Sequence, residues 1–492
     1  MNKNLAVTAF AAALVFQPAL EATPTAATGN DAALRVTNNL LPNIVVKGVT
    51  PPRRTLTERM AAQNVPGLSI AVVEDGKIVW AQGFGVKQVG TADAVNAETI
   101  FQAASISKPI AATAMLRLVE QGKLALDKLV NDYLKSWKLP ENDFTKTEKV
   151  TLRRLVTHSA GLNVHGFPGY AIGTPVPSVP QVLDGLPPAN TKAVRVENTP
   201  GAAWKYSGGG TTIIQLAMTD VTGEAFPSLM KRLVLDRVGM NSSAFEQPLS
   251  AARQKRAAAA HKSDGKLVPG RWHVYPELAA AGMWTTPTDL MKWAMHIAAA
   301  RDGRTPSVLS QKMAQEMLTV QSEPSGLGPM VIGKGEAMNF RHGGGNEGYA
   351  CFVVYFPALK RGAAIMTNSD AGFTVARELL NAIAKEYRWP GFAPREIEPI
   401  TLDAAALEQL LGEYPSPPEI TGGKPTSLFL TQEGGKLMVE VPGFVPKTEL
   451  VVLADGELIA PETGFQSTLM KDKDGKIVGV DIGSAKLTKK AK

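Results

Sequence analysis

The stretch FQAASISKPIAATAMLRLVEQGKL, residues 101–124, decides how this chain is read. Ile110, Met115, Leu116, Leu118 and Val119 supply an apolar face at helical spacing, and Gly122 marks its end. The spacing predicts a helix that begins at Ser105, with Lys108 one turn later on the same side. Pro109 fits because it falls in the first turn, where backbone donors lack partners anyway. A hydroxyl and an ammonium thus stand together at the head of an apolar helix.

A serine hydroxyl is a poor nucleophile near neutral pH and needs a base within hydrogen-bond reach. A lysine one helical turn away can be that base where burial and the positive helix end disfavour its ammonium form. The helix start also leaves the N–H of Ser105 unpaired and able to face a developing oxyanion. The plainer alternative is that Ser105 only caps the helix. Ser-x-x-Lys occurs three times, at Ser105–Lys108, Ser228–Lys231 and Ser263–Lys266. Ser263-Asp264-Gly265-Lys266 reads as a turn, and Ser228 and Lys231 as the exposed side of a helix. Only Ser105 heads a strongly apolar segment without acidic neighbours.

The 492 residues, 44% hydrophobic and 20% charged, suffice for one large core and a smaller one. The formal charge of +7 is scattered and accompanies no nucleic-acid-binding motif, so no nucleic-acid partner is expected. Residues 1–22 read as a secretory signal peptide: one lysine, an apolar run from Leu5 to Phe16, then small residues. No later run reaches membrane-spanning length, so no integral membrane segment is expected after the signal. Cys351 is the only cysteine, which excludes an intramolecular disulfide and a cysteine-rich metal site. The six histidines form no His-Glu-x-x-His pattern, and no phosphate-binding or dinucleotide fingerprint occurs. Neither a metal nor a cofactor is expected, and the destination is periplasmic or secreted.

Residues 23–51 read as a flexible arm. LSIAVVEDGKIVWAQGFG (68–85) predicts two strands around Asp75-Gly76. Helical patterns dominate 100–300, interrupted at 165–188 by a stretch too rich in Pro and Gly for regular structure, which is expected to border the site. Strands return at 349–357 and 361–369, followed by a helix over 374–389. Strands at both ends with helices between predict an α+β domain: an antiparallel sheet flanked by helices with an inserted all-helical lobe, over 52–390. Residues 391–402 are a Pro-bearing linker, and 403–492 a small all-β domain with turns at Gly434-Gly435, Asp455-Gly456 and Asp474-Gly475.

Four segments occur in one order: residues 101–134 around Ser105, VTLRRLVTHSAGL (150–162), TPGAAWKYSGGGTTIIQLAMTDVTG (199–223) and RHGGGNEGY (341–349). Together they resemble the β-lactamase-related serine hydrolases, which include class C β-lactamases, D,D-peptidases and esterases. The resemblance implies Ser105 as the acyl-accepting nucleophile, Lys108 as its partner, and Tyr206 as the shuttle of the proton to the leaving group. It implies His342, Gly343 and Gly344 as a third motif whose glycines bring a strand edge close to substrate. The backbone N–H groups of Ser105 and Gly345 would form the oxyanion hole. His158 and Ser159 are expected to be structural. Two departures stand out: Gly208 replaces the usual second-motif asparagine, and Lys-Thr-Gly occurs nowhere.

The expected function is an exported serine hydrolase that cleaves an ester, amide or peptide through an acyl-enzyme, esterase- or peptidase-like. Peptidoglycan fragments are a further expected partner. The alternatives are a true class C-like β-lactamase, a D-amino-acid-specific peptidase, and a non-catalytic peptidoglycan-binding or regulatory protein.

Overall fold

The hairpin at Asp75-Gly76 anchors the central sheet. In the computed structural model, which describes residues 29–304, 308–417, 426–442, 444–483 and 485–490, both turn residues have positive φ, +49° and +72°. That turn matches the twist of tightly joined antiparallel strands. The signal-peptide reading of residues 1–22 lies outside the described residues. Six strands form the sheet in the order Lys77–Gly85, Gly67–Glu74, Arg361–Thr367, Tyr349–Phe356, Asn339–Asn346, Met330–Ile332. Every neighbouring pair is antiparallel. The two distant ends of the domain meet between Gly67–Glu74 and Arg361–Thr367, with Ile70 opposite Ile365.

Side-chain alternation divides the strands between two cores. Leu68, Ile70 and Val72 pack with Val36, Leu379 and Ile383 beneath the helices Gly29–Thr37 and Gly372–Glu386. Ala71 and Val73 face the opposite cluster, with Ile106, Ile110 and Leu290. A sheet covered on both faces explains strands that read as nearly unbroken apolar runs. The inserted lobe carries the helices Ser107–Glu120 and Gly208–Thr222, whereas Pro287–Arg301 packs on the sheet face that Ala71 and Val73 present.

Three expectations are corrected. From Gly29 onward the supposed flexible arm is folded, because Ala33, Val36 and Leu40 are buried and Ile44–Val46 pairs in parallel with Arg395–Ile397. The Pro- and Gly-rich stretch holds a helix, Val179–Asp184, because Pro180 sits in its first turn, and a bridge from Tyr170–Ala171 to His273–Val274. The nucleophile helix opens as a 3-10 turn over Ala104–Ile106 before Ser107–Glu120 becomes α-helical.

The C-terminal strands make a four-stranded and a five-stranded antiparallel sheet around one apolar core that includes Tyr414, Leu428, Val439, Leu458 and Val480. Ile44 and Ile397 pack on Leu453 and Ile459. Buried Arg59 holds Glu378 through two bonds of 2.8 Å and donates a third, of 2.6 Å, to Glu462 of the β domain. The β domain is thereby fastened to the sheet side remote from the helical lobe.

Candidate active site

Ser105 is delivered by a strained turn. Phe101–Gln102 pairs with Trp284–Thr285, and the chain then passes through Ala104 at φ +49°. A left-handed alanine costs about 1–2 kcal/mol. The turn persists because Ala103, Ala104 and Ile106 are fully buried. Lys108 follows on the first α-helical turn, 4% exposed. Its Nζ donates to Ser105 Oγ at 3.1 Å and to the Ala280 carbonyl at 2.8 Å. Among the described residues no carboxylate pairs with Lys108. Ala280 belongs to a short helix, Leu278–Ala281, whose Ala281 carbonyl accepts from Asn346 Nδ2 at 3.1 Å.

Tyr206 precedes the helix Gly208–Thr222, which Ser207 caps by accepting the Gly210 N–H at 3.0 Å. The tyrosine ring lies 5.0 Å from Lys108 Nζ, and His158, His165 and His342 surround it at centroid distances of 4.3, 4.8 and 6.1 Å. Gly208 explains the missing asparagine. A Cβ there would meet the His165 carbonyl and the Phe167 ring, each at 3.0 Å. The 165–188 segment therefore occupies the space a side chain at 208 would fill, and it borders the site as expected.

The fourth wall is the strand Asn339–Asn346. Its outer neighbour Met330–Ile332 pairs only as far as Arg341, so the edge from His342 to Asn346 has no strand partner. A Cβ at Gly344 would sit 2.2 Å from the Ala103 carbonyl, so only glycine lets the strand approach the nucleophile turn. On the inner side Asn346 pairs with Tyr349 across a two-residue turn. Ladder alternation then directs the N–H of Gly345 away from Tyr349–Phe356, toward the open edge.

His342 is buried, and its Nδ1 lies 2.6 Å from the Gly343 carbonyl. A carbonyl only accepts, so Nδ1 carries the proton and Nε2 of the neutral ring is a bare acceptor. Nε2 has no partner among the described residues. Burial, then the neighbouring Lys108 charge, pushes this imidazole down to about 4. His158 and His165 are lowered by the same two causes. Lys108 thus stands among imidazoles that burial keeps neutral.

All residues read from sequence as site members meet here. Lys231 is instead paired with Asp236 at 2.6 Å and Lys266 with Asp264 at 2.6 Å, and both lie on exposed turns or helix sides. Ser159 bonds Thr157 at 2.9 Å. The sequence reading missed the Ala280 carbonyl and Asn346, since a backbone acceptor and a strand-end asparagine carry no local signal. Among the described residues no group of three or more His, Cys, Asp or Glu converges to hold a metal.

Comparison with known proteins gives the family. A family profile described as Beta-lactamase matches residues 52–387, over two thirds of the chain. The chain belongs to the Beta-lactamase family. This Beta-lactamase family member is therefore a serine hydrolase of the acyl-enzyme type. It is 26% identical over 382 residues to penicillin-binding protein 4 of Amycolatopsis lactamdurans, covering 74% of this chain and 95% of that one. It is 24% identical over 364 residues to esterase EstB of Burkholderia gladioli, covering 63% and 88%. Its match to unguisins hydrolase ungD of Aspergillus violaceofuscus, 24% identical, covers 64% of this chain and 60% of that longer protein. Among solved structures, the octameric penicillin-binding protein homologue from Pyrococcus abyssi aligns with TM-score 0.57 at 23% identity, over 88% of this chain and 98% of that one. That likeness extends the shared fold past the family domain.

Proposed function

We propose that this Beta-lactamase family hydrolase is an exported esterase- or peptidase-like enzyme in which Ser105 is acylated. Lys108 accepts the hydroxyl proton, because it is buried, bonded to Ser105 Oγ and unpaired with any described carboxylate. As the Ser105 Oγ–acyl carbon bond forms, the carbonyl oxygen becomes an oxyanion between the N–H groups of Ser105 and Gly345. Tyr206 then gives a proton to the departing alkoxide or amine, and water hydrolyses the acyl-enzyme.

The observation that carries the ester preference is His342. A neutral ring offering only an acceptor gives the carboxylate of a penicillin, a cephalosporin or a D-Ala-D-Ala terminus no cation to bind. Gly208 removes a second polar anchor. Short acyl esters need only the nucleophile and oxyanion site. We expect kcat/KM for a short p-nitrophenyl ester to exceed that for nitrocefin by at least about tenfold, roughly 1.4 kcal/mol in barrier. An unactivated ester and a D-Ala-D-Ala peptide complete the panel. Nitrocefin turning over faster than all of them would replace this reading with a β-lactamase.

Export rests on the composition of residues 1–22. Among the described residues no helix is long and apolar enough to cross a membrane. The mature chain is expected to begin between Glu21 and Gly29, and N-terminal sequencing that recovers Met1 from the cytosol would contradict export.

A further inference from the structure

His158 belongs to none of the roles above, yet it touches the general acid from two directions. Its Nδ1 accepts the Ser207 N–H at 3.2 Å, and its ring lies against Tyr206 at 4.3 Å with 33° between planes. The flanking chain reinforces the contact, since the Lys205 N–H donates to the His158 carbonyl at 2.7 Å. The Tyr206 backbone is thus bracketed on both sides by bonds to one residue. His158 itself ends the helix Leu152–Val156 in a left-handed conformation, φ +59°, which a histidine adopts more readily than most side chains. The ring is buried, and Trp204 meets its edge at 6.2 Å. With Nδ1 used as an acceptor, the neutral ring carries its proton on Nε2.

We propose that His158 is the residue that positions Tyr206 for proton delivery to the leaving group. The inference rests on the role of Tyr206 given above. Its logic is geometric: the Tyr206 phenol is only half-buried, so the bracket at 205 and 207 and the stacked ring set where its hydroxyl points. Burial and the Lys108 charge keep the imidazole neutral, which preserves Nδ1 as an acceptor.

The test exploits leaving-group basicity. Breaking the bond to an alkoxide needs a proton in flight, whereas p-nitrophenolate departs without one. His158→Phe keeps a stacking ring but removes the acceptor. Relative to the native enzyme it should lose at least tenfold in kcat/KM on an alkyl ester and less than threefold on the matching p-nitrophenyl ester. His158→Asn, whose amide oxygen stands near the place of Nδ1 and which tolerates the left-handed backbone, should keep the native ratio of the two within threefold. Should His158→Phe fail to fold, His158→Gln, with its acceptor moved one bond outward, carries the same expectation as the Phe variant. Equal losses on both esters, in a folded variant, would reduce His158 to a packing residue and overturn the proposal. Fluorophosphonate labelling of Ser105 is followed in each variant. Labelling that persists in Ser105→Ala would mean that the nucleophile reading fails, a result separable from an unchanged leaving-group ratio.

Discussion

At the scale of single residues, His342 makes the clearest quantitative case. Its imidazole is held near 4 in the folded chain against an ordinary value near 6.5. Between those values the unfolded chain binds the proton and the folded chain does not, so stability rises with pH across that window and is complete above it. The size is about 3 kcal/mol from this group. His342→Gln should flatten the acid side of a stability-against-pH curve measured by urea denaturation. The slope should shrink rather than vanish, because buried His158 and His165 are lowered as well, and an unchanged slope between pH 4 and 6.5 would place the titration elsewhere. Gly208 makes the complementary steric case. Gly208→Asn, which restores the family's usual residue, should destabilise the fold by about 1–3 kcal/mol through the contact with His165 and Phe167. It should not raise nitrocefin turnover, and a gain there would show that the 165–188 segment moves aside easily.

Elements show what the sequence could and could not disclose. Asp75-Gly76, the apolar run after Ser105 and the return of strands near residue 350 were legible because turn chemistry and periodicity act locally. Ser105 and Lys108 were legible together because one helical turn fixes their distance. The folding of 29–46 was not, since its partners lie at Gly372–Glu386 and Arg395–Ile397, more than 300 residues away. Nor was the 3-10 entry to the helix, which owes its strained Ala104 to burial against the strand at Gly344. That element contact yields its own prediction. Gly344→Ala would press a Cβ to 2.2 Å from the Ala103 carbonyl, so strand and nucleophile turn must part. Hydrolysis of the p-nitrophenyl ester should fall at least about a hundredfold, roughly 3 kcal/mol in barrier. Native kcat in a folded Gly344→Ala enzyme would show that the strand edge has no bearing on the site.

The whole molecule joins two bodies whose contact lies away from the chemistry. Every candidate catalytic residue precedes Leu402, and the β domain is held through Glu462, Leu453 and Ile459. A chain ending at Pro394 should keep Ser105 labelling and small-ester turnover. It should melt several degrees lower, because Arg59 loses a charge-assisted bond to Glu462, about 1.5–3 kcal/mol, and Ile44 loses its apolar cover. A folded but inert chain of that length would assign the β domain a part in the site.

The central claim is that one of three Ser-x-x-Lys pairs is chemically distinct, because only Lys108 is buried without a described carboxylate partner and bonded to its serine. Intact-mass spectrometry after fluorophosphonate treatment, with peptide mapping of the adduct, tests it directly. One adduct is predicted, on the peptide containing Ser105, absent from Ser105→Ala and present in Ser228→Ala and Ser263→Ala. An adduct that persists in folded Ser105→Ala, or maps to any other serine, would contradict it.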